Sequence, residues 1–284
     1  MSKTDNTENN NKTIETPPLG GRGATILDKI LAQKVLEVAE RKQLKSISDL
    51  EKEPLFSRKC ISLKNNLTSS TSGIISEFKR KSPSKGWIHP DADVLEITTA
   101  YCQAGASGIS ILTDYSFFGG SSADLIAARS VVNCPILRKD FVIDEYQLYE
   151  AKAMGADVVL LIAAALTPDK TKNLARKAQN LGLEVLLEVH NREELDCANE
   201  FVDLLGVNNR NLKTFEVNTE ISKELAGYIP DDFVKVSESG LSSVETVLEL
   251  RKYGYKGFLM GEHFMKEQNP AVALKNFIDH LDIK

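Results

Sequence analysis

From residue 73 onward, eight short apolar runs recur, each separated from the next by a stretch with helical spacing. They are Gly73–Lys79, Gly108–Asp114, Pro135–Asp140, Asp157–Ala164, Glu184–His190, Leu204–Asn209, Lys235–Gly240 and Gly257–Gly261, with starts 20 to 35 residues apart. Glu145–Met154, Pro168–Leu181 and Ser242–Tyr253 exemplify the intervening helices. Gly105, Gly155, Gly182 and Gly254 stand just before the next run, where glycine accepts the left-handed conformation that ends a helix. Alternation of this kind predicts parallel strands joined by crossover helices. Runs such as VVLLIAA suit strands covered on both faces. Eight units fit an open doubly wound sheet or a closed barrel. The count, and the span of roughly 210 residues, favour an α/β (β/α)8 TIM barrel.

Upstream of the first run, residues 1–22 are polar and Asn/Thr/Glu-rich, with a Pro17-Pro18 pair. They bury little and read as a disordered tail. From Thr25 a helix is expected, with Leu27, Ile30, Leu31, Val35, Val38 and Ala39 on one face and Asp28, Lys29, Glu37, Arg41 and Lys42 mostly elsewhere. Residues 45–72 read as short helices and loops. A length of 284 residues, at about 150 per domain, suggests nearly two domains. The rhythm instead predicts one barrel domain over residues 23–284, including an N-terminal helical extension over 23–72.

Lys and Arg number 35 against 40 Asp and Glu, a net charge of −5, which argues against a nucleic-acid-coating protein. An anionic ligand must then be met by a few placed cations or backbone N–H groups. Cys60, Cys102, Cys134 and Cys197 are far apart and form no CxxC pair, so neither a zinc site nor a disulfide framework is expected and a reduced, cytoplasmic setting is favoured. No apolar run approaches about 18 residues, and the first twenty lack a signal peptide's apolar core; no membrane contact is expected. His89, His190, His263 and His280 show no HExxH spacing, so no metal is expected. His190 could face the barrel mouth, but reads as solvated or internally satisfied.

Polar residues gather at the ends of five runs. Side chains two apart on a strand share a face, so Glu77 and Lys79 share one and Phe78 and Arg80 the other. Lys139 alternates with Arg138 and Asp140, Glu188 shares its face with Leu186 and His190, Asn208 pairs with Arg210, and Ser237 with Ser239. Acids, bases and amides at the C-terminal ends of barrel strands converge on one mouth. Glu238-Ser239-Gly240 and Met260-Gly261-Glu262 follow strands seven and eight, where such barrels often hold phosphate on backbone N–H groups. The basic run Lys79, Arg80, Lys81, Lys85 has a competing reading as a nucleic-acid or nuclear-localisation patch, which its start inside a strand disfavours.

The segments IISEFKRKSPSKG, ILRKDFVIDEYQLYEAKAMGADVVLLIAA, LEVLLEVH, LLGVNNRNL, VSESGLS and GFLMGEHFM resemble, in order and spacing, the indole-3-glycerol phosphate synthase family. The resemblance runs from about residue 25 to the C-terminus. It implies a carboxy-lyase of tryptophan biosynthesis that converts 1-(2-carboxyphenylamino)-1-deoxyribulose 5-phosphate to indole-3-glycerol phosphate, releasing carbon dioxide and water, with no cofactor. It also implies that Lys139 is the general acid, Glu188 the strand-five carboxylate, and Glu77 and Lys79 the strand-one pair. Asn208 and Ser239 would orient substrate, and Arg210 and Phe141 would line the site. Ser82, Gly240, Gly261 and Glu262 match phosphate-loop positions, and Glu238 and Leu259 complete the binding set. Trp87 follows Lys85-Gly86 in a loop expected near the aryl ring, and Asn209 is expected to face away. The expected partner is a phosphorylated small molecule, and a monomer is the working expectation. Rival readings are another phosphate-binding barrel, such as phosphoribosylanthranilate isomerase or a Schiff-base aldolase, and a catalytically silent barrel used for binding or assembly.

Overall fold

The computed structural model describes residues 24–282; the tail expectation for residues 1–22 lies outside them. Eight parallel strands close into a barrel: β1 (Ile74–Phe78), β2 (Gly108–Leu112), β3 (Ile136–Lys139), β4 (Val158–Ile162), β5 (Glu184–Val189), β6 (Leu204–Asn208), β7 (Val234–Glu238) and β8 (Tyr255–Met260). Each pairs with its sequence neighbours, and β8 returns to β1 through Ile74–Phe258, Ile75–Leu259 and Ser76–Met260. Most strands end before the polar tip of their run, because the last residues leave the ladder to build the mouth. The four helix-stop glycines all have positive φ, as at Gly155 (+87°). Between β5 and β6 the expected helix is replaced by a 3-10 turn, Glu193–Cys197, in the shortest of the connections.

Alternation along the strands splits the core in two. Ile75, Leu137, Leu160, Leu186, Leu204, Val236 and Leu259 fill the barrel, while Ile74, Phe78, Ile109, Ile136 and Val159 face the surrounding helices. Burying this much apolar surface, at about 25 cal/mol per Å², is the main force closing the sheet. The helix Leu63–Ser69 plugs the floor: Leu63 and Leu67 join the interior cluster, and Glu184 at the start of β5 accepts the Leu63 and Lys64 backbone N–H groups at 2.8 and 3.0 Å. Gly108 permits this, since a Cβ there would lie 2.6 Å from Leu63 Cδ1.

Helix α1 (Ile26–Leu44) starts with a capping box: Thr25 Oγ1 accepts from Asp28 N and Asp28 Oδ2 accepts from Thr25 N. Its buried line is Ile30, Lys34 and Val38. Ala39, expected on the apolar face, is exposed, and a lysine sits at the centre of that face. Lys34 Nζ lies 2.8 Å from Asp114 and 2.9 Å from Asp140, residues that follow β2 and β3, and 2.9 Å from Glu37. Burial disfavours the Lys34 charge, but Asp140 and Asp114 outweigh it and hold the ammonium above its usual range. The helix is thereby clamped across the mouth.

Removing one partner from such a buried cluster typically costs about 3–5 kcal/mol, so Lys34→Met is expected to lower unfolding stability by that order in urea melts. Burial also opposes the Asp140 charge, but Arg138 and Lys34 push its carboxyl well below the ordinary range. A depressed carboxylate stabilises the fold above its unfolded pKa of about 4 and loses that contribution as pH falls. The difference between wild type and variant should therefore shrink below about pH 4. A difference unchanged down to strong acid would contradict the clamp.

Candidate active site

At the C-terminal end of the strands lies a cavity of about 530 Å³, within the range of small-molecule sites. Its floor is unusual for a barrel interior. The inward residues from the four odd strands are Glu77 on β1, Lys139 on β3, Glu188 on β5 and Glu238 on β7, matching the way alternate strands supply a single layer. Lys139 Nζ donates to Glu188 Oε2 at 2.9 Å and to Glu238 Oε2 at 3.0 Å. Glu77 pairs with Lys79 at 2.7 Å. Asn208, at the end of β6, donates to Glu188 Oε1 at 3.1 Å.

Two glycines make room for these carboxylates. A Cβ on Gly206 would lie 2.3 Å from Glu238 Oε1, and one on Gly261 would lie 2.6 Å from Glu77 Oε1. Gly261, expected in a phosphate loop, thus borders the cavity but also fits Glu77 into place. Gly206 was not singled out in the sequence, where it reads as a neutral member of an apolar run.

The charges interact strongly. Burial opposes the Lys139 charge, but Glu188, Glu238 and Glu77 outweigh it, so its ammonium is held far above the ordinary lysine range. Burial likewise opposes the Glu188 charge, yet Lys139 and His190 hold it well below the usual carboxylate range. Glu238 goes the other way: burial, then the neighbouring Glu188 and Glu77, push it up to about 7 against the pull of Lys139. Glu238, expected among the substrate- and phosphate-binding residues, lines the cavity from its floor, against Lys139.

On the outer face of the strands, Arg138 meets Asp140 at 3.0 Å. The Arg80 guanidinium lies 4.7 Å from the Phe78 ring centre and grips Asp124 at 2.7 and 3.1 Å. Lys81 donates to the Ser116 carbonyl at 3.3 Å, and Lys85 lies 3.8 Å from Glu262. Every member of the basic run therefore has a partner within the chain. Alternation fails at one pair. Ser237 faces outward, bonded to Asn209 and Ser222 at 3.0 and 2.8 Å, whereas Ser239 lines the cavity. Ser239 has φ +67°, and this left-handed residue breaks the strand's two-residue period. Asn209 faces away from the cavity, bonded to Ser237 and Ser222.

Apolar lining comes from Phe118, Phe141, Ile26, Leu27, Ile162 and Leu259. The Phe118 and Phe141 rings sit 6.0 Å apart. Ser82, Lys85, Arg210, Gly240, Gly261 and Glu262 border the cavity elsewhere, with Glu262 3.9 Å from Arg210. Trp87 does not line it: the ring is 60% exposed, beside Gly119 and the Lys81 ammonium. The short antiparallel pair Lys81–Ser82 and Gly86–Trp87 turns that side chain outward while Ser82–Lys85 face the cavity. Among the described residues, no group of three or more His, Cys, Asp or Glu is disposed to hold a metal ion.

The family model described as Indole-3-glycerol phosphate synthase matches residues 27–277. An indole-3-glycerol phosphate synthase of Bacteroides thetaiotaomicron is 55% identical over 256 residues, covering 89% of this chain and 97% of that protein. One from Bordetella pertussis is 41% identical over 258 residues, covering 89% and 98%. Among solved structures, the KGPDC of Streptococcus mutans has a TM-score of 0.57 at 14% identity, covering 74% of this chain and 97% of that one. A tryptophan synthase A-subunit of Pyrococcus furiosus has a TM-score of 0.56 at 17% identity, covering 76% and 99%; these two likenesses concern the fold alone. With a family match across nearly the whole barrel and relatives this similar, the chain belongs to the indole-3-glycerol phosphate synthase family, decarboxylating lyases of tryptophan biosynthesis.

Proposed function

We propose that the cavity binds 1-(2-carboxyphenylamino)-1-deoxyribulose 5-phosphate with its aryl ring on the Phe118–Phe141 wall, its phosphate near Arg210, Ser82 and Gly240, and its ketone over Lys139. The observation that carries this reading is Lys139 itself, a buried ammonium held by two carboxylates beneath a half-apolar cavity. Ring closure joins the aryl carbon bearing the carboxylate to the ketone carbon, and the ketone oxygen gains charge as the bond forms. A charged donor already in place stabilises that oxygen without reorganising solvent. Lys139 then supplies the proton, carbon dioxide leaves with its bonding pair returned to the ring, and the hydroxyl departs as water. Glu188, ionised, removes the proton from the former C1 of the sugar, and Lys79 assists the departing hydroxyl. Asn208 and Ser239 orient the polyol chain.

The aldolase rival requires a neutral, nucleophilic amine, which proteins obtain by depressing a lysine pKa. The opposite shift keeps Lys139 protonated, which disfavours imine formation there. A silent scaffold has no use for a buried ionisable layer that costs stability. We take the enzyme to act as a monomer in the cytoplasm. The four cysteines are free thiols, and no helix among the described residues is long and apolar enough to cross a membrane.

Absorbance assay of indole-3-glycerol phosphate formation tests the reading directly. Lys139→Met is expected to lower kcat by roughly 10²–10⁴-fold with an unchanged circular dichroism spectrum; near wild-type turnover would overturn the assignment. Arg210→Ala should raise KM by about tenfold or more while leaving kcat within a few-fold, the mark of lost uniform binding. The pH profile follows from Glu238, protonated below about 7 and ionised above it. Its neutral form frees Lys139 from one carboxylate and makes it a stronger acid, so kcat/KM should fall as pH rises through about 7. Glu238→Gln, locked neutral, should lose that limb. A wild-type profile flat across this range would contradict the assigned role.

A further inference from the structure

His190 follows β5 and does not line the cavity, yet it stands between two carboxylates. Its Nδ1 lies 3.1 Å from Glu194 Oε2 and its Nε2 lies 3.3 Å from Glu188 Oε1. Glu194 is fixed independently of the ring: its carboxylate accepts from the His190 backbone N–H at 2.8 Å and from Asn191 Nδ2 at 2.9 Å, and its own N–H donates to Asn191 Oδ1. The ring is largely buried, and Nε2 has no hydrogen-bond acceptor in line. Although Glu188 is within ion-pair distance, its Oε1 is taken by Asn208 and its Oε2 by Lys139.

We infer that His190 is a positioning residue for Glu188, a cation that takes over the carboxylate when Lys139 turns to the substrate ketone. The inference rests on the proposed reading of Lys139 and Glu188. In the free enzyme Lys139 balances Glu188. During ring closure that ammonium must be given to the ketone oxygen, and a buried anion left without a cation takes up a proton; what then remains beside Glu188 is the Asn208 amide and the His190 ring, within ion-pair distance but not aligned for a hydrogen bond. A protonated Glu188 is no longer a base for the dehydration step. A small movement of the carboxylate toward the free Nε2–H preserves its charge and places it for proton removal. The ring is equipped for this. Burial disfavours its charge, but Glu188 and Glu194 outweigh that and raise its pKa to about 10. The charged groups facing the ring are Glu188 from β5 and Glu194 from the 3-10 turn, while Lys139 from β3 reaches it only through Glu188.

The test compares wild type with His190→Gln, His190→Lys and Glu194→Gln, using the carboxyphenylamino ketose phosphate as substrate. For His190→Gln, kcat should fall roughly 10- to 100-fold with KM within about threefold, and the acidic edge of the kcat profile should move toward neutrality, because Glu188 without its second cation protonates more easily. His190→Lys keeps the charge and should recover most of the loss. Glu194→Gln leaves the ring in place but removes one anion facing it, so His190 loses its proton at lower pH. That variant should match wild type near pH 6.5 and fall toward His190→Gln as pH rises to 9. An unchanged kcat and acidic edge in His190→Gln would overturn the inference, as would equal losses in the Gln and Lys variants. If the position 190 variants fail to fold, a Glu194→Gln profile parallel to wild type is the overturning result. Absence of turnover by wild type would instead overturn the functional reading, and this inference with it.

Discussion

A lysine ammonium buried between two carboxylates organises the top of this barrel. Lys139 meets Glu188 and Glu238 at hydrogen-bond distance, in a place where neither a lone cation nor a lone anion is tolerable. One cation against two carboxylates cannot satisfy both, and the imbalance is divided unequally. Glu188, which also has Asn208 and His190, stays ionised, while Glu238 rises to about 7. Two chemically identical side chains therefore titrate apart, Glu238 taking up its proton as pH falls below about 7 where Glu188 stays ionised, the condition for acid and base steps to share a site.

This arrangement depends on features remote from the chemistry. Gly206 and Gly261 leave the space that Glu238 and Glu77 occupy. The N-terminal extension closes both ends of the barrel, with Leu63 and Leu67 sealing the floor and α1 lying over the mouth with Ile26, Leu27 and Ile30 on the cavity wall. The Lys34 clamp runs to Asp140, the residue next to Lys139, so the helix over the cavity and the strand end carrying the proposed acid are fixed by one ion cluster.

Much of the architecture was legible because barrel strands announce themselves by apolar runs at regular intervals, and most of the inward set followed from alternation: Glu77 with Lys79, Glu188 with Leu186, Lys139 opposed to Arg138. What escaped had a physical reason. Strand β7 carries a charged residue on each face, Lys235 on one and Glu238 on the other, so VKVSE does not reveal which side is inside; Ser237 and Ser239 were paired when the left-handed Ser239 separates them and Glu238 points in. Lys34 sits at helical spacing between Ile30 and Val38 but is charged, and only the arrival of Asp114 and Asp140 from other strands explains its burial. His190 was read as solvated or internally satisfied, but its partner Glu194 comes from the 3-10 turn after β5 and could not be named from spacing. Tertiary partners are invisible to periodicity.

The central claim is that the carboxylates keep Lys139 charged in the resting enzyme. Nitrogen-15 NMR of the Lys139 side chain, assigned by comparison with a Lys139 variant, measures this directly. The account predicts that Nζ carries three protons throughout the range from pH 6 to 10, with no inflection at ordinary lysine values near 10.4. Loss of a proton with a midpoint below about 9 would mean that desolvation, rather than the three carboxylates, sets the charge on this lysine, and would contradict the account.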